Sequence, residues 1–135
     1  MSTLTGFTVT LPFPPSVNAY WRSLACLKWV NGVPKPYSRM ILSEDARAFR
    51  SNAILAVRCA KLSGLNLDSR LRVEIDLHCP TARKYDVDNF SKGIFDALTH
   101  AGLWKDDSQV DDLHVVRKPK FKGGMAIVRI WEIVD

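Results

Sequence analysis

The chain has 135 residues, 47% of them hydrophobic and 24% charged, which suits one globular domain, residues 1–135, with a core of its own. This composition excludes a disordered or low-complexity protein, and the longest unbroken apolar run, residues 53–57, is too short for a membrane-spanning helix. Lysine and arginine outnumber aspartate and glutamate by 19 to 14, and the net charge of +5 weakly favours a polyanionic partner.

The cysteines and the first residues indicate the compartment. Cys26, Cys59 and Cys79 are far apart and form no Cys-x-x-Cys pair, so they predict neither a disulfide framework nor a zinc site. No positive residue precedes an apolar stretch at the start of the chain, so no export signal is predicted. We therefore expect a cytoplasmic protein that does not associate with a membrane.

The first half of the chain predicts a strand, an irregular segment and a helix. Residues 5–11 alternate apolar and polar side chains, as a half-buried strand does, and prolines follow them. Residues 16–40 are expected to be irregular, with a short hairpin around Asn31-Gly32. Ser43 is the expected N-cap of a helix that runs to about residue 61. Its apolar stripe is the predicted core face and consists of Ala46, Phe49, Ala53, Val57 and Ala60.

A second stripe of the same helix is cationic. It consists of Arg47, Arg50, Arg58 and Lys61. A stripe of this kind is commonly a solvated face, and the alternative is a surface that binds phosphates. The sequence leaves both interpretations open.

The second half predicts one strand, one helix and a terminal pair of strands. Residues 71–78 alternate strictly, which indicates a strand with one buried face. An amphipathic helix follows and stops at Gly102. Residues 110–116 and 125–134 are expected to pair as a hairpin with a long basic loop. The predicted fold class is α+β, with two helices packed on a mixed, mainly antiparallel sheet.

Carboxylates gather around the second helix. Asp86 and Asp88 precede it, and Asp106 and Asp107 follow it. If the chain is extended at its start, Asp86 and Asp88 project to one side, roughly 7 Å apart. Asp107, or its neighbour Asp106, would join them if the chain folds back after the helix. Because clustered carboxylates repel one another unless a cation neutralises them, the pattern predicts a Mg²⁺ site.

Each member of this group also has an ordinary structural interpretation. Asp88 and Asn89 are good N-cap residues, and residues 106–108 would suit a turn. Lys92 would pair with Asp96 four residues later in a helix. The capping and metal-binding interpretations are compatible.

The ordered motif through this region resembles the signature block of the RusA family of Holliday junction resolvases. Its residues are Asp86-Val87-Asp88-Asn89, Lys92, Phe95-Asp96-Ala97-Leu98, Ala101-Gly102, Trp104 and Asp106-Asp107-Ser108-Gln109-Val110. Residues 11–18 and 122–124 are similar to the family's proline-rich start and to its final turn. The resemblance covers nearly the whole chain.

The resemblance implies a catalytic site and a reaction. Asp86, Asp88 and Asp107 correspond to the family's magnesium-binding catalytic residues, and Lys92 corresponds to its catalytic lysine. The implied protein is a homodimer that binds four-way DNA junctions and nicks two strands symmetrically, in DNA recombination and repair. The stretch Arg83-Lys84-Tyr85 carries less charge than the family pattern leads us to expect.

Two basic segments are the candidate DNA-binding residues. They comprise Arg83, Lys84 and Tyr85 before the acidic motif, and Arg117, Lys118, Lys120 and Lys122 near the end of the chain. Tyr85 and Phe121 are candidates for a side chain that wedges into an opened junction. The rival interpretations are a non-catalytic DNA-binding module and a metal-dependent phosphoesterase that acts on small substrates.

Overall fold

The computed structural model describes residues 2–134, which contain six strands and two helices. The elements are β1 (Ser2–Leu11), β2 (Trp21–Val30), β3 (Val33–Leu42), α1 (Glu44–Cys59), β4 (Arg70–His78), α2 (Ser91–His100), β5 (Val110–Arg117) and β6 (Met125–Val134). Three single 3₁₀ turns lie between them: Val17–Ala19, Val87–Asn89 and Asp107–Gln109. No helix within residues 2–134 is long and apolar enough to cross a membrane.

Four of the strands form one mixed sheet in the order β1-β6-β4-β5. β6 pairs antiparallel with both β1 and β4, whereas β4 and β5 are parallel. A parallel pair needs a crossover connection, and α2 supplies it between β4 and β5. The α+β class with two helices and a mainly antiparallel mixed sheet is therefore confirmed.

The core lies between the sheet and the two helices. Leu71, Val73, Ile75 and Leu77 alternate along β4 and are fully buried. They join one hydrophobic cluster with the inner faces of both helices, which contribute Phe49, Ala53, Val57, Ile94, Ala97 and Leu98. Each Val, Leu, Ile or Phe side chain of this cluster contributes about 1.5–3 kcal/mol when it is withdrawn from water, so the cluster fixes how α2 sits on the sheet.

The expected terminal hairpin is wrong. β5 and β6 are not neighbours, because β4 lies between them and pairs with both. The long basic connection gives the chain the length to pass from one side of β4 to the other. Sequence periodicity predicted the two strands correctly, but it carries no information about which strand each one pairs with.

The expectation of irregular structure over residues 16–40 is also wrong. β2 and β3 are two ten-residue strands that pair along their whole length, from Trp21↔Leu42 to Val30↔Val33. The predicted turn is confirmed, with Asn31 at φ 52° and Gly32 at φ 76°. Positive φ at both central residues matches the right-handed twist of a tight hairpin, which is why Asn-Gly suits this position.

Helix α1 begins as predicted. The Ser43 hydroxyl accepts a hydrogen bond from the Ala46 N–H at 3.1 Å. The core face is confirmed for four of its five expected residues, whereas Ala60 lies past the last helical turn and is exposed. The cationic stripe is interrupted, because Arg50 is tied to Asp96 of α2 through its Nε atom at 3.1 Å. Arg50 is therefore not available to a phosphate.

Candidate active site

An aromatic cluster and one arginine hold the chain just ahead of the acidic motif. The ring of Tyr85 packs edge-on against Phe13 and Phe90, with centroids 6.3 and 5.4 Å away. Arg117, the last residue of β5, lies 4.6 Å over the Tyr85 ring and donates a hydrogen bond to the Tyr85 carbonyl oxygen. These contacts fix the position of Tyr85, and with it the position of the next residue, Asp86.

The acidic motif is not extended throughout, so the condition under which Asp86 and Asp88 would project to one side is not met. Asp86 itself is extended, at φ −95° and ψ 131°, but Val87–Asn89 is a 3₁₀ turn. The Asn89 N–H donates to the Asp86 carbonyl oxygen at 3.2 Å. Because a 3₁₀ helix turns about 120° per residue, side chains two residues apart leave it in different directions. Asp86 and Asp88 therefore do not share a face in the way that a strand would provide.

The two capping and pairing interpretations are wrong as well. Helix α2 begins at Ser91, and its N-cap is Phe90, which makes no side-chain cap hydrogen bond. Asp88 and Asn89 therefore do not cap it. Lys92 does not pair with Asp96, because Asp96 instead accepts hydrogen bonds from Tyr20 and Arg50.

The two carboxylates that follow α2 have different environments. Asp106 caps the 3₁₀ turn Asp107–Gln109: its carboxylate accepts the Ser108 N–H at 3.0 Å, and the Gln109 side chain accepts the Asp106 N–H at 2.8 Å. The hydrogen bonds from Ser108 hold the pKa of Asp106 below its usual range. The turn predicted for this segment is confirmed, and Asp106 is the residue that serves it.

The motif carboxylates stand out because they lack protein partners. Within residues 2–134, the side chains of Asp86, Asp88 and Asp107 accept no hydrogen bond and form no ion pair. Most other carboxylates of that range are engaged, as Asp76 is by Arg129 at 2.8 Å. The exposed Lys92 ammonium likewise has no anionic partner in the described part of the chain.

The carboxylates of Asp86, Asp88 and Asp107 are ligands of the kind that Mg²⁺ prefers. Within one chain, however, they do not form a complete metal site. Among residues 2–134, no three His, Cys, Asp or Glu side chains lie close enough together to hold a metal ion. Asp107 lies just before Val110, the first residue of β5. Tyr85, next to Asp86, is hydrogen-bonded to Arg117, the last residue of β5. Seven residue-to-residue steps of strand, roughly 23 Å in all, separate Val110 from Arg117.

Asp86 lies in a pocket of about 350 Å³ that adjoins a basic one. Ser16, Asn18, Asp86, Asn89 and Phe90 line the first pocket, together with Arg83, Lys84 and Tyr85. The same Arg83, Lys84 and Tyr85 line a second pocket of about 300 Å³, opposite Arg117, Lys118 and Lys120. The structure thus brings both predicted DNA-binding segments together, and places them beside Asp86.

Main-chain hydrogen bonds hold the later basic segment against the end of β4. The Lys118 N–H donates to the Leu77 carbonyl oxygen at 2.9 Å, and the Phe121 N–H donates to the Cys79 carbonyl oxygen at 3.0 Å. Lys122 is exposed and does not line the basic pocket. Phe121 exposes half of its surface, whereas Tyr85 is packed in the aromatic cluster, so Phe121 is the better placed of the two wedge candidates.

A partly buried polar network joins Tyr20, just before β2, to both helices, and sequence reasoning did not identify it. Tyr20, 1% exposed, donates a hydrogen bond to Asp96, which Arg50 also contacts. Burial, with the Asp96 hydrogen bond, raises the pKa of Tyr20 to about 12. Burial acts to raise the pKa of Asp96, but hydrogen bonds from Tyr20 and Arg50 outweigh it and lower that pKa. The three residues lie far apart along the chain, so no local pattern indicates the network.

Comparison with known proteins identifies the family. The family model of endodeoxyribonuclease RusA matches residues 12–130. The chain is 36% identical over 127 residues to the crossover junction endodeoxyribonuclease RusA of Shigella sonnei and to that of Escherichia coli K12, covering 94% of this chain and 95% of each relative. It is 34% identical over the same length to the crossover junction endodeoxyribonuclease of Enterobacteria phage HK97. The chain therefore belongs to the RusA family of endodeoxyribonucleases.

Proposed function

We propose that the protein is a Mg²⁺-dependent, structure-specific endodeoxyribonuclease that resolves four-way DNA junctions by paired symmetric nicks, in DNA recombination and repair. The relatives named as crossover junction endodeoxyribonucleases support this activity. The observation that carries the proposal is the placement of the Asp86 carboxylate, which has no partner within residues 2–134, in a pocket joined to a basic one. Cationic side chains bind the phosphates of a DNA backbone, and carboxylate oxygens without a protein partner can bind the metal ion at the point of cleavage.

Asp86, Asp88 and Asp107 are the residues that would hold Mg²⁺. A bound Mg²⁺ supplies charge neutralisation at the phosphate and a hydroxide nucleophile near neutral pH. Mg²⁺ is commonly held by one or two carboxylates together with substrate phosphates and water, rather than by a cage made of protein alone. The three carboxylates have no partner within residues 2–134, but Asp107 lies near the opposite end of β5 from Asp86 and would not share an ion with it inside one chain.

Lys92 would act on the phosphate directly. Its ammonium is exposed, has no carboxylate partner in residues 2–134, and stands in the first turn of α2, shortly after Asp88. A positive charge near the scissile phosphate offsets the negative charge that develops in the transition state. Lysine is protonated at neutral pH, so this role suits it better than that of a general base.

The remaining residues bind and orient the DNA. Arg83 and Lys84 line both pockets, and Arg117, Lys118 and Lys120 line the basic one. These residues would contact phosphates, and Lys122 would extend that contact. Tyr85 would act by fixing the wall of the pocket, because its ring is packed in the aromatic cluster. The whole chain, residues 1–135, would act as one domain in the cytoplasm, as one half of a homodimer.

The test compares a synthetic four-way junction with the matching linear duplex, with and without Mg²⁺. We expect Asp88→Asn to abolish Mg²⁺-dependent cleavage while junction binding stays measurable, because the amide keeps the size of the side chain and loses its charge. Asp68→Asn is the matched control, since Asp68 lies outside the motif and pairs with Lys105 at the surface. Full cleavage by purified Asp88→Asn would contradict the assignment.

The same assay separates the rival functions. A non-catalytic DNA-binding module would bind the junction and leave both strands intact at every Mg²⁺ concentration. A phosphoesterase for small substrates would hydrolyse a nitrophenyl phosphodiester and ignore the junction. The basic residues on two separate segments favour the nuclease over a phosphoesterase for small substrates. The relatives named as endodeoxyribonucleases favour it over a non-catalytic module.

A further inference from the structure

The β2–β3 hairpin stands apart from the rest of the fold. It forms its own two-stranded sheet, separate from the four-stranded one, and almost all of its side chains are exposed. An isolated two-stranded hairpin is at best marginally stable in water. The presence of two exposed ten-residue strands therefore points to a function for them. The other elements form the four-stranded sheet and the hydrophobic core.

The register of the hairpin sorts its side chains into two unlike faces. Directly paired residues project to the same side, and alternate residues project to opposite sides. One face carries every cation of the two strands, namely Arg22, Lys28, Lys35 and Arg39. The other face carries no charge and exposes Leu27, Trp29 and Met40 by 67, 70 and 63%. Residues 21–42 contain no aspartate or glutamate.

The cationic face contains an unrelieved repulsion. Lys28 and Lys35 are directly paired across the two strands. Like charges directly opposite one another destabilise a sheet. None of the four cations forms an ion pair with any residue in the range 2–134. An anion bound along this face would remove the repulsion, so a polyanion would stabilise the hairpin.

The base of the hairpin lies at the candidate active site. Asn18, just before β2, lines the same pocket as Asp86. Ser43, just after β3, donates from its N–H to the Tyr20 carbonyl oxygen at 2.9 Å. Tyr20 is buried and bound through its hydroxyl to Asp96 of α2. The hairpin therefore extends from the rim of the pocket, and its root is fixed to the second helix.

The dimensions of the cationic face suit duplex DNA. Six residues of strand separate Arg22 from Lys28, which is roughly 20 Å. That length corresponds to about six base pairs of B-DNA, whose major groove admits a two-stranded β-ribbon. A row of this length would follow one arm of the junction away from the cleavage point.

We propose that the β2–β3 hairpin is a DNA-binding arm, and that its cationic face holds the phosphates of one duplex arm beside the pocket of Asp86. Arg22, Lys28, Lys35 and Arg39 are the contact residues. This inference rests on the proposed function, because it takes junction DNA as the substrate. It adds a contact surface that is separate from the basic pocket of Arg83, Lys84 and the segment 117–122.

The test measures the affinity of the full chain for a fluorescent four-way junction in EDTA, over a range of salt concentrations. The slope of log affinity against log salt falls by about 0.9 for each phosphate contact that is lost. We expect the quadruple variant R22Q/K28Q/K35Q/R39Q to lower the slope by about 2–4. Shortening every junction arm to about four base pairs should weaken binding by the wild type more than binding by this variant.

The uncharged face of the same hairpin provides the matched control. L27S/W29S changes exposed side chains on that face, and we expect an unchanged salt slope. Two results would overturn the proposal and identify the hairpin as an interface between subunits. In the first, L27S/W29S lowers the salt slope as much as the quadruple variant does. In the second, L27S/W29S dissociates a dimer while the quadruple variant keeps the full slope.

A smaller change guards against loss of folding. K28Q/K35Q removes the facing lysines, so we expect a hairpin at least as stable by circular dichroism and a slope lowered by about 2. An unchanged slope for folded K28Q/K35Q and for folded R22Q/R39Q would overturn the DNA-binding arm alone. Failure of the wild type to prefer the junction over linear duplex would instead contradict the proposed function.

Discussion

Asp106 and Asp107 are adjacent in the chain, yet the structure gives them separate roles. Asp106 caps a 3₁₀ turn and is engaged by Ser108, whereas the Asp107 carboxylate has no partner within residues 2–134. A side chain that already satisfies main-chain donors is a poor metal ligand, because binding a cation would cost those hydrogen bonds. Asp107 is therefore the better candidate of the two.

This difference predicts opposite effects for two substitutions. We expect Asp107→Asn to abolish junction cleavage and to leave the melting temperature nearly unchanged. Asp106→Ala should instead lower the stability through the lost cap and retain cleavage at a temperature where it is folded. Junction nicking and urea denaturation of both variants check the prediction. Cleavage that survives in Asp107→Asn and disappears in folded Asp106→Ala would reverse the assignment.

The hydroxyl of Tyr20 predicts a pH dependence of stability. An unfolded tyrosine ionises with a pKa of about 10, whereas burial and the Asp96 hydrogen bond raise the pKa of Tyr20 in the folded chain to about 12. The unfolded state therefore loses its proton first as pH rises. The contribution of Tyr20 is present in full below pH 10 and is lost as pH rises from about 10 to about 12.

Tyr20→Phe tests this contribution. Near pH 7 it removes a hydrogen bond to a carboxylate, which should cost about 1.5–3 kcal/mol. Urea denaturation at several pH values should show the wild type losing more stability than the variant above pH 10. Tyr37→Phe is the control, because Tyr37 is exposed on the hairpin. Parallel pH profiles for wild type and Tyr20→Phe would contradict the assigned cause.

At the scale of elements, the basic connection between β5 and β6 serves both the fold and the site. It carries the chain past β4, and main-chain hydrogen bonds to Leu77 and Cys79 hold it there. Its lysine side chains take no part in those bonds. They are therefore free to contact DNA, and replacing them should leave the sheet intact.

The triple variant K118A/K120A/K122A separates the two roles of this segment. We expect weaker junction binding and a salt slope lowered by about 2–3, with an unchanged circular dichroism spectrum. R47A/R58A on α1, combined with K61A in the turn after it, removes the same charge from residues that do not line the basic pocket or the pocket of Asp86. An equal loss of slope in both variants would show that net charge, not this segment, governs binding.

At the scale of the whole molecule, paired symmetric cuts call for two sites related by a two-fold axis. A C2 dimer supplies them, because each subunit presents the same surface to a junction that has approximate two-fold symmetry. In such a dimer, each chain would contribute one set of motif residues and one hairpin. The homodimer is thus part of the proposed function at this scale.

Mixed dimers test the pairing of the two cuts. We expect wild type alone to linearise a supercoiled plasmid that carries a cruciform, because both strands are nicked within one complex. Wild type mixed with an excess of Asp88→Asn should yield mainly nicked circles, since a mixed dimer has one active site. Gel analysis of the plasmid forms reads out both. Linear product in undiminished proportion would indicate that single chains cut independently.

Local patterns in the sequence determined several of the secondary-structure elements of this protein. Alternation predicted β1 and β4, Ser43 and the apolar stripe predicted α1, and Asn31-Gly32 predicted the hairpin turn, because each depends on neighbours within a few residues. The order of chemical groups around α2 predicted the family.

Only the tertiary structure decided the pairing of strands and the surroundings of the site. Strand pairing places β4 between β5 and β6, and it sorts the hairpin into a cationic and an uncharged face. Packing brings Arg83 to Lys118, and Tyr20 to Asp96. These contacts join residues that are distant along the chain, and burial of the common core selects them, so no short stretch of sequence specifies them by itself.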